Sequence, residues 1–211
     1  MSEANETGAG KPQAVVFDVG RVLYRWNLRH LFAPLIADEG ELDWFLANVV
    51  TEEWHFAHDR GMPLAEMVPA RQAEFPRHAH LIESYAARFN ETIPGPVDGS
   101  LEIVERLHRA AVPLYALTNF GSEFWAGFRP TAPIFDLFED VVVSGDERVA
   151  KPDPAIYAIM ERRSGLSGSS LFFTDDNPAN VAAARERGWR AELFTDAPAL
   201  ERQLQGLGLL L

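Results

Sequence analysis

The chain has 211 residues, 47% hydrophobic and 24% charged, enough to bury the core of one domain with room for an inserted subdomain. A formal charge of −12 repels nucleic acid and anionic membrane surfaces, so an anionic substrate must be held by local groups. The absence of cysteine excludes disulfides and thiolate metal sites, and the lack of a membrane-length apolar stretch or a signal-like start makes the cytoplasm the expected location.

Residues 1–13 offer almost nothing to bury and are expected to form a disordered leader. The fold should begin at Ala14 with AVVF, 14–17, the first of five short apolar runs of strand character. Residues 27–94 carry helical signals in LRHLFAPLI, LDWFLANVV and HLIESYAARF, show no convincing strand, and end at the turn-rich PGPVDG. They predict a helical insertion, with 14–26 and 95–211 forming the main body.

Between Gly99 and Ala111, the spacing of Leu101, Val104, Leu107 and Ala111 predicts one helix face. The runs PLYALT, 113–118, and DVVVS, 140–144, follow as strands. Pro154–Arg163 predicts a helix with Asp153 as N-cap and Ile156, Ile159 and Met160 on one face. SLFFT, 170–174, is the fourth strand. A helix from Asn177-Pro178 to Gly188 leads to RAELF, 190–194, the fifth. This alternation predicts an α/β fold, a parallel sheet with helices on both faces.

In such sheets, sites form beyond the carboxyl ends of the strands. Those ends carry Asp18, Thr118-Asn119, Lys151 and Asp175-Asp176. Alone, Asp18 is an ordinary turn former, Thr118-Asn119 a polar turn and Lys151 a surface lysine; the adjacent acids Asp175 and Asp176 are costlier, because they repel each other. Together the carboxylates suit a hard cation such as Mg2+. Lys151 offsets phosphoryl charge, Thr118 and Asn119 donate to its oxygens, and Asp18 can attack phosphorus.

The stretches FDVGRVL, LTNF, KPDP and FTDDNPANVAAA, in that order, resemble the four motifs of the haloacid dehalogenase superfamily. The helical stretch of residues 27–94 is similar to that superfamily's cap domain, over a Rossmann-like core. The resemblance implies Asp18 as nucleophile, Thr118 and Asn119 as phosphate-binding groups, and Lys151 as the lysine steadying nucleophile and phosphate. It implies magnesium held by Asp18, the Gly20 backbone carbonyl, Asp175 and Asp176. The expected partner is a small-molecule phosphate ester, sugar phosphates included, with no nucleic acid or membrane and the chain a monomer or homodimer.

Phosphatases of this superfamily mostly carry an aspartate two residues after the nucleophile as general acid and base; here that position is Gly20. Such catalysis is worth ~10²–10⁴-fold, so either another residue substitutes or esters with poor leaving groups react slowly. His55, His58 and Asp59 are the candidates to substitute. A metal-independent 2-haloacid dehalogenase is the alternative, with Arg29 available for its substrate; the acidic pair argues against it, since without a metal those carboxylates would repel a carboxylate substrate. A catalytically silent phospho-ligand binder is a further alternative, opposed by the intact Asp18, Lys151 and acidic pair. Trp26, Trp44, Trp54 and Phe56 are expected mostly in the core.

Overall fold

The computed structural model describes residues 10–211; residues 1–9 of the expected leader lie outside the described residues. Residues 10–13 are tied to the sheet rather than loose: the Gln13 amide donates to Ser170 O at 2.7 Å, and Arg190 donates to Gly10 O at 3.0 Å.

Strand β1 is Ala14–Phe17, four apolar residues all fully buried. Beyond it a tight loop leads to β2, Tyr24–Arg25. Five helices follow: α1 Arg29–Phe32, α2 Glu39–Asn48, α3 Glu52–Asp59, α4 Leu64–Glu74 and α5 Ala79–Arg88. Asp38 and Thr51 cap α2 and α3, accepting from the amides of Glu41 and Trp54. The chain returns through β3, Gly95–Pro96, which pairs antiparallel with β2. The helical excursion therefore leaves and re-enters through a two-stranded ribbon. Two-residue strands carry no periodicity, and the sequence gives no sign of either.

Then come α6 Ser100–Arg109, β4 Leu114–Thr118, α7 Ser122–Phe128, β5 Asp140–Val143, the short α8 Ser144–Glu147 and α9 Pro154–Ser164. Strand β6 Leu171–Asp175, α10 Pro178–Glu186, β7 Arg190–Leu193 and α11 Ala197–Gly206 complete the chain. The expected caps are present: Asp153 accepts from the Ala155 amide and Asn177 from the Ala179 amide. The buried face of α6 is turned from the expected one, with Ile103 inside and Ala111 exposed beyond the helix end.

The five strands of the main sheet run parallel in the order β5-β4-β1-β6-β7. Period-two alternation sends Val15 and Phe17 into one core and Ala14 and Val16 into the other. The first core continues into the inserted helices through Leu31, Phe45, Ile82 and Tyr85, so these helices share an apolar interior with one face of the sheet. No helix among the described residues is long and apolar enough to cross a membrane.

Candidate active site

Strand β1 delivers Asp18 to the sheet's carboxyl edge, where its amide still donates to Thr174 O on β6 at 3.0 Å. Its Oδ1 accepts from the Val19 amide and meets Lys151 Nζ, each at 2.7 Å. Lys151 reaches the same place from the segment before α9, through a cis bond to Pro152, and its side chain is buried. Burial opposes the ammonium charge, but the carboxylates of Asp175 and Asp18 outweigh it and raise the Lys151 pKa.

Asp175 and Asp176 part in direction. Asp175 is wholly buried and accepts at both oxygens: from Lys151 Nζ at 2.7 Å, from the Asn177 amide at 2.8 Å, and from Asn180 Nδ2 at 3.0 and 3.1 Å. Three donor groups thus hold its two oxygens, with the Asn180 amide nitrogen reaching both. Asp176 is half-buried and lines the cavity above β1. Burial pushes its carboxyl pKa up, and repulsion from Asp175 adds to that.

Thr118 lies buried at the end of β4, its hydroxyl without a hydrogen-bond partner. Asn119 lines the cavity and its side chain holds the Lys151 backbone: Nδ2 donates to Lys151 O at 3.0 Å and Oδ1 accepts from Lys151 N at 2.8 Å. The amide expected on a phosphate oxygen thus also positions the lysine.

The cavity encloses about 510 Å³. Its floor carries Asp18, Gly20, Asn119, Lys151 and Asp176, and its walls include residues of the helical excursion. Phe56 belongs to those walls, Trp26 both lines the cavity and packs against the core, Trp44 is exposed and Trp54 packs half-buried against the core. Phe89, Ile93, Phe120 and Phe128 extend the apolar surface. Arg21, which the sequence did not single out, also lines the cavity; it lies 4.8 Å from the centre of the Trp26 ring and bonds Glu52 at 2.5 Å. Arg29 pairs with Glu39 and Asp43 and is not part of the wall. Asn180 also went unnoticed, although a polar residue on the buried face of α10 was its signal.

Of the three candidates to replace an acid at position 20, His55 and Asp59 line the cavity and His58 does not. All three are buried. His58 Nδ1 is engaged with Met62 O at 2.7 Å, and His55 Nδ1 with the Tyr85 hydroxyl at 2.7 Å. Burial lowers the His55 pKa to about 3, so its imidazole is neutral. Burial raises the Asp59 pKa to about 8; the Gly121 amide opposes the shift and the Asp18 charge reinforces it.

One oxygen each from Asp18, Asp175 and Asp176 lies within 4.8 Å of the other two. Three acids face a single buried ammonium, an oxygen-rich and over-negative set that a hard divalent cation fits.

A parallel sheet with an acid after its first strand and a lysine–carboxylate cluster at its carboxyl edge defines a hydrolase class. Residues 12–188 match the haloacid dehalogenase-like hydrolases, and the chain belongs to that family. It is 24% identical over 205 residues to a sesquiterpene phosphatase of Aspergillus oryzae, covering 92% of this chain and 96% of that protein. It is 21% identical over 202 residues to a drimenol cyclase of Aspergillus calidoustus, covering 92% of this chain but only 36% of that longer protein. A haloacid dehalogenase family enzyme of Bacteroides thetaiotaomicron, solved with magnesium and inorganic phosphate, shares the fold with a TM-score of 0.70 at 20% identity, over 88% of this chain and 95% of that one.

Proposed function

We propose that the protein is a magnesium-dependent phosphatase that hydrolyses a small phosphate monoester through an aspartyl-phosphate on Asp18. The observation that carries this is the convergence of Asp18, Lys151 and Asp176 on one cavity floor. Residues 27–94 act as a cap over a core of residues 14–26 and 95–211, and the cavity walls drawn from that segment select the substrate and exclude water.

Asp18, Asp176 and the Gly20 carbonyl would hold magnesium, while Asp175, already engaged by three donors, braces Lys151. The bound ion supplies charge neutralisation and orients a phosphoryl oxygen. Lys151 draws the remaining negative charge of the phosphoryl group, and the unpartnered Thr118 hydroxyl donates to one of its oxygens. An oxygen of Asp18 then attacks phosphorus; the ester P–O bond breaks and its electron pair leaves with the alcohol oxygen. Water subsequently attacks phosphorus, the bond to Asp18 breaks, and the carboxylate is restored with release of phosphate.

The walls supply aromatic and aliphatic surface more than hydroxyl partners, which favours an ester with an apolar body over a sugar phosphate. The likeness to a sesquiterpene phosphatase supports that preference. The dehalogenase alternative fares worse, because carbon–halogen displacement has no use for Asp176 at the floor.

The test is phosphate release from an aryl phosphate with magnesium and with chelator, beside chloride release from a 2-chloro acid. Metal-dependent phosphate release is expected. Chloride release indifferent to chelator would overturn the proposal.

A further inference from the structure

Gly20 leaves the leaving-group oxygen without the carboxyl group that would protonate it from that position. The cavity offers few replacements. Glu52 and Glu53 are exposed, and Glu52 is paired with Arg21. His55 is stacked on Trp26 and Phe89, its Nδ1 is taken by Tyr85, and it carries no proton to give as an imidazolium. Apart from the residues assigned to the metal and the phosphoryl group, one buried carboxyl remains in the wall among the described residues, that of Asp59.

Three observations mark Asp59 as placed rather than incidental. It ends α3, and its carbonyl accepts from the Ser144 hydroxyl at 2.5 Å. That same hydroxyl oxygen accepts from the Phe120 amide at 2.9 Å, so Asp59 is tied to the loop that carries Thr118 and Asn119. Its Oδ2 lies 3.4 Å from His55 Nε2, whereas its buried Oδ1 makes no hydrogen bond. A buried carboxyl oxygen left unpaired is destabilising, and a substrate oxygen would relieve that.

We propose that Asp59 hands a proton to the departing oxygen and later takes one from water, the task a carboxylate at position 20 would perform. This rests on the phosphatase proposal above. In the first step Asp18 attacks phosphorus, the ester P–O electron pair moves to the leaving oxygen, and the Asp59 proton joins it to give a neutral alcohol. In the second step the Asp59 carboxylate removes a proton from water as its oxygen attacks phosphorus. The P–O pair then returns to Asp18, and Asp59 is protonated again. Burial holds Asp59 protonated near neutral pH, as the first step requires, and the groups facing it are Asp18, Lys151, His55 and Tyr85.

The experiment measures Asp59→Asn against the wild type on an aryl phosphate with a good leaving group and on an alkyl phosphate. Compared as kcat/KM, which reports transfer to Asp18 and not the later attack of water, the alkyl ester is expected to lose about 10²–10⁴-fold and the aryl ester a factor of a few. Equal losses on both esters, or none on either, would overturn the assignment. Adding Gly20→Asp to that variant should restore much of the alkyl rate, since a Cβ at Gly20 meets no atom within 4 Å. If Asp59→Asn does not fold, the wild type alone decides through its dependence on leaving-group pKa. A shallow slope is expected, and a steep one would mean that no acid acts. A wild type that releases no phosphate from any ester fails the earlier proposal first, and that failure shows in the aryl assay.

Discussion

Asp59 and His55 sit 3.4 Å apart, and burial drives both to neutrality by opposite proton movements. Asp59, raised from 3.8 to about 8, binds a proton in the fold that the unfolded chain releases; its contribution is present below pH 3.8 and is lost as pH rises to about 8. His55, lowered from 6.5 to about 3, contributes above pH 6.5 and loses that contribution as pH falls towards 3. The two slopes oppose each other between 3.8 and 6.5, and above 6.5 only that of Asp59 remains. In metal-free buffer, the unfolding free energy of the wild type should therefore fall relative to Asp59→Asn between pH 6.5 and 8, by roughly 2 kcal/mol at most. Urea titrations of both proteins at the two pH values measure this, and a constant difference would show Asp59 ionised in the fold. The strand-end positions of the site residues were legible in the sequence, because an apolar run followed by a polar residue marks a carboxyl edge. Their division of labour was not. That Asp175 braces Lys151 while Asp176 faces the cavity depends on hydrogen bonds contributed from 24 residues before and from two and five residues after.

Helix α3 closes on the β4 loop across Gly121, and Gly145 lets α8 close on the same loop. A Cβ at Gly121 would stand 2.0 Å from His58 Cδ2, and one at Gly145 would stand 2.5 Å from the Ser122 amide. His58 is itself held at Met62 O, so Gly121→Ala must push α3 and its terminal Asp59 away from the β4 loop. Overpacking of this kind costs about 1–3 kcal/mol. The variant is expected to unfold at lower urea concentration and to lose more alkyl-phosphate turnover than aryl-phosphate turnover. Unchanged stability would mean that the ring rotates away at no cost. At this scale the sequence was clearest where an element is buried on both faces: AVVF needs no partner to be recognised as a central strand. It was silent on the β2–β3 ribbon, which has two residues per strand, and it misjudged α6 by about one position, because Ile103 and Leu101 are equally apolar until the sheet selects one.

The whole chain carries a formal charge of −12, and its cavity floor concentrates that excess where three carboxylates meet one ammonium. Folding assembles this cluster, and the unfolded chain disperses it, so a cation that binds there stabilises the folded form selectively. At one hundred times its dissociation constant such a ligand adds about 2.7 kcal/mol. For a chain of this length that corresponds to a rise in Tm of roughly 5–10 °C. Magnesium should therefore raise the melting temperature of the wild type well beyond what sodium chloride of equal ionic strength does. In Asp176→Asn the rise should largely disappear, because the half-buried carboxylate at the cavity floor is gone while Asp175 is already engaged by Lys151, Asn177 and Asn180. Without metal the same variant should melt no lower than the wild type, since it loses a carboxylate that burial, and then repulsion from Asp175, disfavour in the fold. A magnesium shift of equal size in both proteins would put the ion elsewhere on the acidic surface.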